Sequence, residues 1–161
     1  MPPDEQLEVY LNDHLAGSAA GIELASKLRD NNQGTSLGDD MAAVARDIAE
    51  DRDALEELMD RLQIKQHPVK DAAGRVLERL SRLRLSPALT GSDELTRLLE
   101  TEALSLGIEG KLLLWLALKE AAAVEPRLAG TDFDRLIERA RGQRRAVEPH
   151  RLAAALGSFP A

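Results

Sequence analysis

Two glutamates, Glu102 and Glu109, stand one heptad apart among apolar residues at helical spacing. Leu95, Leu99, Leu106, Leu113 and Leu116 mark the stripe, and the two acids fall in its gaps. A carboxylate on such a seam is drawn out of water, which is strongly unfavourable unless a cation, a hydrogen-bond donor or a metal meets it. Two chemistries satisfy that demand. Arginines can hold the acids in forked ion pairs, or the acids can join imidazoles around a divalent metal. Arg144 and Arg151 repeat the heptad spacing of the glutamates, and His14, Asp51 and His150 offer further nitrogen and oxygen ligands.

The elements that must position these groups are helices. No segment alternates apolar and polar residues with the β-branched content of a strand, whereas apolar residues recur at helical spacing almost throughout, so the expected class is all-α. A first helix is expected from Asp4 to Leu28, stopped by the turn cluster Asp30-Asn31-Asn32-Gln33-Gly34. Ser36-Leu37-Gly38-Asp39 has the form of a capping box and opens a second helix to Leu62, with the seam Met41, Val44, Ile48, Asp51, Leu55, Leu58, Leu62. A shorter amphipathic helix follows Pro68, carrying Val69, Ala72, Val76, Leu80 and Leu83. Ser92 then starts a third long helix reaching Val124, and Thr131 with Asp132 and Asp134 starts a fourth to Leu156, kinked or interrupted at Pro149. Its seam reads Phe133, Ile137, Ala140, Arg144, Val147, Arg151, Ala154. The whole chain, 1–161, is expected to form one helical-bundle domain.

Register follows from the turns. In an antiparallel pair turning near 126–127, Glu102 faces Arg151 and Glu109 faces Arg144. A turn near 32–33 brings His14 level with Asp51. A passage of about 30 residues between the second and third helices holds a short helix long enough to span most of a bundle, so the third helix can start at the end where the second began. His14, Asp51, Glu102 and His150 would then share one central layer, and Glu102, Glu109, Arg144 and Arg151 would form a buried polar network.

Paired helices, a long crossover, and carboxylates and histidines at mid-bundle make the chain resemble the ferritin-like family, including rubrerythrin relatives. That resemblance implies a crossover four-helix bundle and, in the metal-binding members, Glu-x-x-His on two helices with a single Glu on each of the others. Here Leu11, Ile64 and Val147 stand three residues before His14, His67 and His150, so no Glu-x-x-His exists. The expectation is a ferritin-like bundle that acts as a non-catalytic binding or interaction protein around a buried ion-pair layer. The rival is a metal-binding oxidoreductase or storage relative that holds one Fe, Mn or Zn ion at His14, Asp51, Glu102 and His150.

Composition narrows the rest. Cysteine is absent, which removes thiolate chemistry and iron–sulfur clusters. A net charge of -7 opposes nucleic-acid binding as the main task. The longest apolar run, Leu112–Leu118, is too short to span a bilayer, and a cytoplasmic location is expected. Residues 39–60 hold nine acids against two arginines while 127–151 hold seven arginines against four acids, as on opposed faces of one bundle. Ser18, Ser81 and Ser105 lack a recognisable triad, and no phosphate-binding glycine loop occurs. Two features stay open. The small residues around Gly17 and Gly21 signify either close helix packing or a ligand pocket beside the polar layer. A second stripe on the third helix, Leu104, Ile108, Leu112 and Trp115, is covered either by the crossover helix or by a second copy of the chain in a homodimer.

Overall fold

The computed structural model describes residues 3–68, 78 and 93–159. Among these the chain is all helical, with no strand: α1 spans Pro3–Asn31, α2 Ser36–Arg61, α3 Asp93–Ala121 and α4 Phe133–Ser158, with a short 3-10 turn at Pro126–Leu128. The short helix expected over 69–85 and the start of the third helix at Ser92 lie outside the described residues. α2 begins one residue earlier in its cap than the capping-box reading places it: Thr35, in extended conformation, is the N-cap, and its hydroxyl accepts from the Gly38 amide at 3.2 Å. Gly38 is required there for a different reason, since a Cβ would sit 2.2 Å from the Asn32 carbonyl oxygen. Asp132 caps α4 by accepting from the Arg135 amide at 3.0 Å.

α1 packs chiefly on α2 and α3, and α4 chiefly on α3 and α2. Contacts along the helices fix their directions. Asp134 meets Lys119 at the α3–α4 turn while Arg144 meets Glu109 further away, so these two are antiparallel. His150 meets Asp40 and Arg139 meets Glu50, which makes α4 antiparallel to α2 as well. Consequently α2 and α3 run the same way. Lys27 pairs with Glu100 at 3.2 Å between the end of α1 and the start of α3, the remaining antiparallel neighbours.

One apolar core joins all four helices, and the expected α2 seam is buried from Met41 to Leu62, Asp51 included. The α3 seam is not. Leu106 and Leu113 are 73% and 56% exposed, and the buried face is instead Leu98, Thr101, Leu104, Ile108, Trp115 and Leu118. The helix is therefore turned by about one residue, roughly 100°, from the expected register. Of the second stripe, Leu104, Ile108 and Trp115 lie in the chain's own core, and Leu112 packs against it. None of the described helices is long and apolar enough to cross a membrane.

Candidate functional site: a polar layer beneath a glycine-lined groove

Turning α3 brings Lys111 inward at the height of Asp51. Asp51 is 1% exposed and lies between three donors. Its Oδ1 accepts from Arg139 Nε at 2.6 Å, and its Oδ2 accepts from Lys111 Nζ at 2.5 Å and from Gln143 Nε2 at 2.9 Å. Lys111 also donates to Gln143 Oε1, which closes a ring of Asp51, Lys111 and Gln143 across α2, α3 and α4. Arg139 reaches outward to Glu50 at 2.6 Å. Both oxygens of Asp51 are thereby met, as a buried charge requires. Burial pulls the Lys111 ammonium below the usual lysine range, and the adjacent Asp51 carboxylate opposes that shift.

Of the residues singled out from sequence, Asp51 lies in this layer and the others fall elsewhere. Arg144 donates to Glu109 at 2.8 Å and Arg151 to Glu102 at 3.5 Å, so the α3–α4 register places these residues opposite one another. The glutamate side chains, however, are 43% and 45% exposed, which makes these pairs a half-exposed rim and corrects the expectation of a buried network. Arg151 is bound more closely by Glu148, one turn back on α4, at 2.6 Å. The four proposed metal ligands are not brought together. Asp51 is enclosed by its three donors, Glu102 faces Arg151, and His150 Nε2 lies 2.6 Å from Asp40. His14 stacks edge-on against Tyr10 with ring centroids 4.7 Å apart. Among the described residues no three His, Asp or Glu side chains gather as a metal centre needs.

Above the polar layer lies a groove of about 510 Å3 between α1, α2 and α3. Its floor and sides are largely apolar, with Leu24, Ile48, Leu104 and Ile108, while Lys111 and Asp51 come up to it from the layer and His14 stands on the α1 wall. Glycines from two helices line it: Gly17 and Gly21 on α1, Gly107 and Gly110 on α3. With α1 and α3 antiparallel and Lys27 beside Glu100, Gly17 comes level with Gly110. Close packing does not explain them. A Cβ at Gly17, Gly107 or Gly110 would meet nothing within 4 Å, and at Gly21 it would make only an ordinary 3.7 Å contact with Ile48. The missing side chains leave room for something other than a neighbouring helix.

Sequence reasoning passed over Lys111, Arg139, Gln143, Gly107 and Gly110. A signal for Lys111 was present: it stands three residues after Ile108 and four before Trp115, the single charge on that stripe of bulky residues. Burial also holds the His14 imidazole below its ordinary value, with Asp13 acting against it. Comparison of the chain with protein-family models, with curated proteins and with solved structures finds no match.

Proposed function

We propose that the chain is a crossover four-helix bundle of the ferritin-like kind that works as a non-catalytic binding protein, taking a small, largely apolar molecule into the groove between α1, α2 and α3. The shared direction of α2 and α3 supports the crossover. One observation carries the binding reading: three helix-interior glycines face open space. Each such glycine costs about 0.5–1 kcal/mol relative to alanine. That cost has no return in helix packing here, whereas it has one if the volume is used. The groove's size falls within the range of small-molecule sites, about 300–1,000 Å3, and its apolar walls over a few fixed polar groups have the usual make-up of such sites.

Titration with the fluorescent apolar probe anilinonaphthalene sulfonate tests this directly, with near-UV circular dichroism confirming that the protein stays folded. Saturable one-to-one binding is expected, abolished when Gly17→Leu and Gly110→Leu fill the groove. Binding that survives in the filled protein, or no saturable binding in the unaltered one, would overturn the reading.

A further inference from the structure

The charged groups of the groove are unequal in what they have left to offer. Asp51 is enclosed by Arg139, Lys111 and Gln143 and has almost no exposed surface. Arg52 is held by Glu56 at 2.8 Å, one turn along its own helix. Asp13 sits exposed at the mouth. Lys111 differs from all three. Its ammonium carries three hydrogens, and the two acceptors it meets are Asp51 Oδ2 and Gln143 Oε1. The side chain keeps 11% of its surface and lines the groove.

The charge of the layer points the same way. One buried carboxylate, Asp51, faces two cations, Lys111 and Arg139. The further acids that answer these two cations, Glu50 on Arg139 and Asp47 near Lys111, both keep part of their surface in water and are therefore screened. Inside the protein the layer is left with a positive excess, and Lys111 is where that excess reaches the groove.

We infer that the ligand is a monoanionic amphiphile with a free carboxylate, whose headgroup takes the remaining hydrogen of the Lys111 ammonium while its hydrocarbon part lies along the glycine-lined walls of α1 and α3. This inference rests on the groove being the binding site. It adds the sign of the headgroup and the residue that reads it. An uncharged molecule of equal length would fill the same walls and forgo the charge-assisted bond. A cationic one would meet the positive excess directly.

Three probes with the same eight-carbon chain separate these terms: octanoate, octanol and octylammonium, each titrated at neutral pH against the unaltered protein and read by the fluorescence of Trp115, the only tryptophan. Octanoate is expected to bind about tenfold more tightly than octanol, with octylammonium weakest. In Lys111→Met the preference for octanoate over octanol is expected to vanish. If Lys111→Met does not fold, the order of the three probes on the unaltered protein still decides the matter. Equal binding of octanoate and octanol, or a preference that persists in folded Lys111→Met, overturns the headgroup assignment and leaves the groove as an apolar site. Failure of all three probes to bind overturns the groove reading itself, and this inference with it.

Discussion

At the scale of single residues, the molecule separates two kinds of ion pair that look alike in sequence. Asp51 is shut inside and holds Lys111 and Arg139 in place, whereas Glu109 and Arg144 meet at the edge with water on both. Removing Asp51 strands two cations in a space that water enters poorly, and Asp51→Leu is expected to destabilise the fold by about 3–5 kcal/mol. Glu109→Leu loses only a solvent-screened pair and should cost about 0–1 kcal/mol. Urea unfolding of both variants checks this, and similar losses would show that Asp51 is no more buried in its ion pairs than Glu109. His14 gives a second test. Burial lowers its folded pKa below the ordinary 6.5, so the unfolded imidazole takes up a proton at higher pH than the folded one. The stability that its neutral form contributes is therefore complete above the unfolded value and is lost as pH falls through the depressed folded value. Between about pH 7.5 and pH 5 the unaltered protein should lose more stability than His14→Gln. Parallel curves for the two would refute it, since the groups facing His14, namely Asp13, Tyr10 and the groove's Asp51 and Lys111, are common to both.

At the scale of elements, the glycines divide by what surrounds them. Gly38 opens α2 against the Asn32 carbonyl, so Gly38→Ala must force the α1–α2 turn apart and destabilise the protein. Gly107→Ala and Gly110→Ala add a methyl to open space in a helix interior, and each should stabilise by about 0.5–1 kcal/mol. Thermal unfolding of the three variants should move in these opposite directions, and a loss at Gly107 or Gly110 would mean that the helix is closely packed at that glycine. The same elements show what could be read beforehand. The all-helical class and the buried face of α2 follow from apolar spacing alone, because that helix has a single apolar stripe. The facing of Glu109 with Arg144 follows from the short turn between α3 and α4, since a tight connection sets register whichever face is buried. The face of α3 did not follow, because this helix carries leucine on two sides and the stripe with more leucines is the outer one. The two glutamates were themselves evidence against that stripe: a seam that spares two carboxylates and buries Trp115 and Ile108 is the less costly choice. The groove was legible only as an unexplained set of small residues on α1, since its other half, Gly107 and Gly110, acquires meaning once α1 and α3 are set antiparallel.

At the scale of the whole molecule, the polar layer and the groove act on stability with opposite signs. The layer ties α2, α3 and α4 together at mid-height, and a satisfied set of buried charges fixes how those helices face one another. The groove runs beside the glycines of α1 and α3, so the protein without ligand forgoes apolar contact there. A ligand that fills that space restores the contact and binds only the folded chain. At about 100 times its dissociation constant such a ligand adds about 2.7 kcal/mol of stability. For a chain of 161 residues each kcal/mol raises the melting temperature by about 2–4 °C, so saturating octanoate should raise it by roughly 5–10 °C. Filling the groove covalently reverses the pattern. Gly17→Leu with Gly110→Leu should melt higher than the unaltered protein without ligand and show no further rise with octanoate. Differential scanning calorimetry of both proteins, with and without octanoate, distinguishes a groove kept open for a ligand from a packing fault. In the second case the filled variant gains stability and octanoate shifts neither protein.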